Sequence, residues 1–207
     1  MYISKIMLNP VSYEVQKEIG NPYQLHRTIM KGFPDKIKEK DRDGRILFRI
    51  EKNRNYQYSF VLVQSFLHPD WKNLMKRNNF LIKDPDFKEF HFPPFRQGNI
   101  YWFRLFANPT KKIDGKRIGF YKDEDQYNWL QRKAELSGFQ ILQVNIVRKE
   151  EIKTKVNKKL SSMTFYGVRF EGALRVEDPR KFEYALKNGI GSGKAFGFGL
   201  LTIAKMK

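Results

Sequence analysis

The chain has 207 residues, enough for one large domain or two small ones. Its 41% hydrophobic and 15% aromatic content excludes wholesale disorder, and the absence of cysteine excludes disulfides, thiolate catalysis and cysteine-based zinc sites. Forty Lys+Arg against 22 Asp+Glu leave a net charge of +18, and an excess that costs so much self-repulsion points to a polyanionic partner, nucleic acid above all. No apolar run approaches the roughly 20 residues needed to span a bilayer, so no membrane partner is expected. The opening MYISKIMLNPVSYEVQKE is interrupted by Lys5, Pro10 and Glu14 and lacks the apolar stretch of a signal peptide. With no cysteine present, the composition suits a cytoplasmic protein.

In chain order, Tyr2–Leu8 alternates polar and apolar residues and reads as a strand. Asn21-Pro22 then supplies a helix start, Asn as N-cap and Pro in the first turn, for a helix over about Tyr23–Gly32. Arg45–Glu51 and Tyr58–Ser65 read as strands joined across a polar stretch. A short helix near Pro69–Arg77 and an apolar strand at Phe80–Lys83 complete the order β-α-β-β-α-β, the ferredoxin-like unit.

Phe90–Gly98, with two adjacent prolines and a closing glycine, interrupts the pattern and reads as a linker. The same order then repeats: a strand at Ile100–Ala107, a helix at Asp123–Ser137, strands at Phe139–Val147 and Thr164–Val176, a helix at Asp178–Lys187 opened by Pro179, and a strand within Gly197–Ala204. In the first of these helices Tyr127, Leu130, Ala134 and Leu136 mark the expected buried side. The halves share topology, not evident sequence identity. The expectation is an α+β protein of two tandem ferredoxin-like (RRM-like) domains, 1–89 and 99–207, joined by a linker at 90–98.

Three histidines exist, and their spacing suits no metal site. His68 before a proline and His91 between phenylalanines read as structural. His26 differs in its company. Tyr23, His26, Arg27 and Met30 share one side of the expected helix, and Lys31 lies within reach of Arg27. The cluster sits near a helix start, where unpaired N–H groups favour an anion. A histidine among cations suits RNA cleavage in particular. RNA carries its own nucleophile, the 2′-OH, so a protein need only align it, move protons near neutrality and stabilise the charge that builds on phosphorus. The rival two-metal scheme needs converging carboxylates. The densest acidic group, Asp123-Glu124-Asp125, is consecutive at a helix start, where it complements the dipole instead. Neither a metal nor any other cofactor is expected.

Two further segments suit an RNA backbone. Lys149, Lys153, Lys155, Lys158 and Lys159 fall in one short run between expected strands, read either as a solvated hairpin or as a basic finger laid against phosphates. Near the C-terminus Gly189, Gly191, Ser192, Gly193 and Lys194 open a glycine-rich loop that continues through Gly197 and Gly199. Its spacing and its place between helix and strand match neither a P-loop nor a dinucleotide fingerprint. It reads as a tight turn or as a phosphate cradle of backbone N–H groups with Lys194.

Five stretches in order carry a resemblance: Tyr2 in MYISKIMLNP, NPYQLHR at 21–27, FRLFANPTK at 103–111, WLQRK at 129–133 and GIGSGKAFGFGLL at 189–201. Together they resemble the type I-E CRISPR repeat-processing endoribonucleases, the CasE family, over both halves of the chain. The resemblance implies a tandem ferredoxin-like fold that binds the stem-loop of a CRISPR repeat transcript and cuts at the 3′ base of the stem. It also implies cleavage without metal through the 2′-OH to a 2′,3′-cyclic phosphate, and retention of the product among other Cascade subunits. Tyr23 and His26 match the family's catalytic pair, and Lys31 a basic position that stabilises the scissile phosphate. The loop at 189–199 matches its RNA-facing signature, and the lysine run at 149–159 a variable basic hairpin.

The competing expectations are a non-catalytic RNA-binding module using sheet aromatics such as Tyr58, Phe60, Tyr101 and Phe103, and a structural subunit of a ribonucleoprotein. Neither accounts for Tyr23, His26 and the glycine-rich loop occurring together.

Overall fold

The computed structural model describes residues 1–35, 43–52, 59–154 and 163–206. Lys155, Lys158, Lys159 and Tyr58, singled out from the sequence, lie outside the described residues. In the first half β1 (Tyr2–Leu8) is followed by α1 (Tyr13–Ile19), α2 (Pro22–Met30), β2 (Leu47–Lys52), β3 (Ser59–Ser65), α3 (Lys72–Met75) and β4 (Asp86–Glu89). The strands form one sheet in the order β2-β3-β1-β4, with β1 antiparallel to both β3 and β4. The period-2 alternation of β1 turns Ile6 and Leu8 to the same face, where they join Val61 and Val63 of β3 and Phe48 of β2. Leu25 and Ile29, one helical turn apart on α2, close that core from above.

Two expectations for this half are corrected. Phe80–Lys83 is not the closing strand: Leu81 makes only an isolated bridge to Leu8, and Phe80 is buried in the core. The closing strand is β4, paired with β1 as Tyr2↔Glu89 and Ile3↔Lys88. All four of its residues are exposed at the sheet edge, so it needs no apolar face and gives no hydrophobic signal. Helix α1 was not expected; Val15 is its one fully buried residue, too little to write a periodic stripe in seven residues.

The second half contains β5 (Ile100–Ala107), a hairpin of β6 (Thr110–Ile113) and β7 (Lys116–Gly119), α4 (Asp123–Leu136), β8 (Phe139–Thr154), β9 (Met163–Val176), α5 (Pro179–Asn188), a 3₁₀ turn at Lys194–Phe196 and β10 (Leu201–Lys205). Its main sheet runs β10-β5-β9-β8. Numbered within each half, both sheets therefore read fourth-first-third-second, the strand order of a ferredoxin-like fold, and both expected units are present. The buried side of α4 is Gln126, Trp129, Leu130 and Ala134: Leu130 and Ala134 are buried as expected, whereas Tyr127 is 36% and Leu136 66% exposed. The Gln126 amide donates to Phe120 O at 2.9 Å, which lets a polar residue take a core-facing place. Helix α5 begins at Pro179 as expected, capped by Asp178, whose carboxylate accepts from the N–H groups of Arg180 and Lys181.

The chain divides into two compact units. One holds residues 1–91 with the described ends of the segment Lys153–Met163 and with Ala195–Gly197; the other holds Phe92–Ile152, Thr164–Lys194 and the residues from Phe198 onward. Each unit has its own core. Phe95, within the proline-rich segment read as a linker, is buried in the second. No helix among the described residues is long and apolar enough to cross a membrane.

Candidate active site

Helix α2 is amphipathic in the plainest sense. Pro22 sets its first turn, Leu25 and Ile29 hold it to the sheet, and the remaining sides are left for polar work. Tyr23 and His26 lie half-buried on it with ring centroids 6.3 Å apart and planes inclined by 25°. Phe48 of β2 packs against His26 at 6.1 Å, and Phe196 packs against Tyr23 at 6.0 Å. The imidazole thus sits in a row of rings. Burial strips hydration from its charged form and lowers its pKa from the usual 6.5.

Asn21 precedes this helix, but its side chain does not cap it as the sequence suggested. Its Oδ1 instead accepts a hydrogen bond from the hydroxyl of Thr154 at the end of β8.

Arg27 and Lys31 face elsewhere. A helix turns about 100° per residue, so they come about 100° and 140° round from His26. Both are exposed, and both line a cleft of about 750 Å³ whose other walls include Glu14, Glu18 and Arg77. Arg77 is paired there with Glu14 at 2.7 Å and Glu18 at 2.8 Å, whereas Arg27 and Lys31 make no ion pair among the described residues. The structure therefore joins Tyr23 with His26 and Arg27 with Lys31, on adjoining sides of one helix. Lys31 is also the C-cap residue, where a cation complements the helix dipole.

The glycine-rich loop is a stitched turn. Ile190 N–H donates to Gly199 O at 2.9 Å, and Gly199 N–H to Phe106 O at 2.8 Å. Gly189, Gly191, Ser192, Gly193 and Lys194 belong to the second unit, where the Ser192 and Thr110 hydroxyls lie 3.4 Å apart. Gly197 belongs to the first unit, at φ +85°, where a Cβ would come 3.2 Å from the Phe48 ring. Of the lysine run, Lys149 and Lys153 lie on β8, and Lys149 is ion-paired with Asp123. Asp123 thus serves that lysine as well as the first turn of α4.

Among the described residues no group of three or more His, Asp and Glu comes together that could hold a metal ion. His68 packs edge-on against Tyr2 and Phe87, in keeping with its structural reading. Tyr101 and Phe103 are core residues, 6% and 4% exposed; the exposed ring of β5 is Trp102, at 44%. Sequence reasoning missed Phe48 and Thr154. The first looks like any strand residue, and the second was hidden inside a run read for its lysines. Their roles depend on pairings across long stretches of chain, for which local pattern holds no signal.

The two units thus define a tandem ferredoxin-like protein, with a tyrosine–histidine pair on a helix of the first unit and Phe196 packed against the tyrosine. The sequence pattern of the family described as CRISPR associated protein matches residues 1–205, and the chain belongs to that family. The CRISPR-associated endoribonuclease Cse3 of Thermus thermophilus is 34% identical over 216 aligned positions, covering 99% of this chain and 100% of that protein. The CRISPR system Cascade subunit CasE of Escherichia coli is 28% identical over the full length of both. Among solved structures, CRISPR endoribonuclease Cse3 bound to a 19-nucleotide RNA superposes with a TM-score of 0.85 at 33% identity, covering 99% of this chain and 100% of that one. The expected resemblance to the CasE family and the tandem ferredoxin-like fold are both borne out.

Proposed function

We propose that this protein is a cytoplasmic endoribonuclease that binds the stem-loop of a CRISPR repeat transcript, cuts at the 3′ base of the stem without a metal ion, and stays with the product as part of Cascade. Family membership and the names of its full-length relatives support the RNA substrate and the assembly. The observation that carries the chemistry is the Tyr23–His26 pair.

The 2′-oxygen attacks the adjacent phosphorus in line with the departing 5′-oxygen. The new P–O2′ bond closes a five-membered ring, and the P–O5′ bond breaks. The products are a 2′,3′-cyclic phosphate and a 5′-hydroxyl, the departing 5′-oxygen taking its proton from water while His26 later returns the 2′-OH proton to solvent. Burial lowers the His26 pKa and so favours its neutral form, the form able to take the 2′-OH proton. Tyr23, ring against ring with it, brings a phenol to the same face for hydrogen bonding to the reacting phosphate. Lys31, on a flexible stem at the end of α2, supplies positive charge to the phosphorane, a contribution that is often the largest single one.

Arg27, Lys149, Lys153 and, from the sequence, Lys155, Lys158 and Lys159 hold the RNA backbone. The loop of Gly189, Gly191, Ser192, Gly193 and Lys194 approaches it closely. An A-form stem hides its base edges in a deep, narrow groove, so these contacts read shape and phosphate, and sequence choice concentrates at the bases beside the cut.

In single-turnover assays His26→Ala loses about 10²- to 10⁴-fold in cleavage rate, the usual worth of positioned proton transfer, with stem-loop affinity unchanged. Cleavage by His26→Ala at the wild-type rate would exclude this mechanism.

A further inference from the structure

We infer that Thr154 is a positioning residue for the Tyr23–His26 pair, acting through Asn21 to hold the first turn of α2. The inference rests on the reading of that pair as the cleavage site.

Strand β8 is exposed or partly buried along most of its 16 residues, and only Phe139 at its start and Thr154 at its end are fully buried. Thr154 is 2% exposed, a depth that a threonine in a lysine-rich run has no need of for solubility. It belongs to the first compact unit, although most of its strand belongs to the second. Its hydroxyl donates to Asn21 Oδ1, at the residue from which α2 springs.

Asn21 is fixed through its backbone too. Its N–H donates to Glu18 O at 3.2 Å, and its carbonyl accepts from Gln24 N at 2.8 Å and Leu25 N at 3.4 Å. Without a side-chain cap of its own, the first turn of α2 depends on what holds Asn21. Tyr23 is in that turn and His26 one turn on. Leu25 and Ile29 fix the helix to the sheet at its middle and end, and at its start the buried Pro22 is joined by the tether on Asn21. Loss of the Thr154 hydroxyl should therefore let the start of the helix fray, moving Tyr23 and opening His26 to water. A displacement of about an ångström at a reacting group costs up to about a hundredfold in rate.

The test compares Thr154→Val, which keeps shape and removes the hydroxyl, with Thr154→Ser, which restores it. Each is assayed for stem-loop RNA affinity, for the single-turnover cleavage rate at saturation, and for the pH dependence of that rate. The expected result for Thr154→Val is a loss of about tenfold in rate at unchanged affinity, with the acidic limb displaced upward toward that of an exposed histidine. Thr154→Ser should behave as wild type. Should Thr154→Val fail to fold, Asn21→Ala removes the acceptor from the half-buried side and should give the same separation of rate from affinity. A Thr154→Val protein that folds and cleaves like wild type, or whose defect lies wholly in affinity or is not restored by serine, would overturn the positioning role. A wild-type protein that binds stem-loop RNA and leaves it intact would instead remove the cleavage site itself, and the inference with it.

Discussion

At His26 one burial bears on both the proposed proton transfer and stability. In an unfolded chain the imidazole titrates near 6.5. In the fold, Phe48 and Tyr23 pack its ring and dehydrate its cation, so the folded pKa lies lower. Between those two values the unfolded chain binds a proton that the folded chain does not. Stability therefore rises with pH through that window, and above 6.5 His26 makes no further difference. On the proposed mechanism the same shift keeps His26 competent as a base in mildly acidic solution. The pH dependence of kcat/KM, which reports the free enzyme, should show an acidic limb with its midpoint below 6.5; a midpoint at or above 6.5 would contradict the neutral-base role.

Gly197 shows how finely this ring row is set. It stands at φ +85°, and its missing Cβ is the space that lets the loop lie against Phe48, the ring that covers His26.

Among the elements, strong local pattern decided what the sequence revealed. β1 and β5 were legible to the residue because each is a short, largely apolar run whose core-facing residues recur at every second place. α5 was legible through Pro179 and its preceding aspartate. β4 was not, because an exposed edge strand carries no apolar residues in period, while the nearby apolar Phe80 and Leu81 imitate one. The β6–β7 hairpin could have been found: Asp114-Gly115, at φ +46° and +79°, is the paired positive-φ turn that joins two short strands.

Tyr23, His26, Arg27 and Lys31 were readable as a group from helical spacing. Their partition between a ring row and a charged cleft was not, since it depends on Phe48, Glu14, Glu18 and Arg77 from other elements.

Glycines in the turns differ in what they tolerate. At Gly199, φ is +89° and a Cβ would lie 2.7 Å from Ile190 O, so Gly199→Ala should cost about 2 kcal/mol or more, read as a lowered denaturation midpoint. At Gly115 a Cβ would meet nothing within 4 Å, so Gly115→Ala should cost only its backbone strain, about 1 kcal/mol. Equal losses at the two sites would contradict the tight-packing account of the glycine-rich loop.

For the molecule as a whole, two units with the same strand order and separate cores carry a charge of +18, which neither core requires. Such an excess favours a polyanion through release of its counterions, and this makes affinity depend on salt. Raising salt from about 50 to about 200 mM should weaken stem-loop binding by at least about a hundredfold, roughly the loss that four phosphate contacts would give. A flat response would mean that the RNA is held by something other than its backbone.

In the proposed mechanism the RNA's own 2′-OH, and no metal, makes the cut. The direct measurement is single-turnover cleavage in excess EDTA of a stem-loop repeat RNA and of the same RNA made 2′-deoxy at the nucleotide 5′ to the cut. Undiminished cleavage of the first to a 2′,3′-cyclic phosphate, with the second bound but left intact, is the expected result. Cleavage of the deoxy substrate, or its abolition by EDTA in the unmodified RNA, would contradict the account.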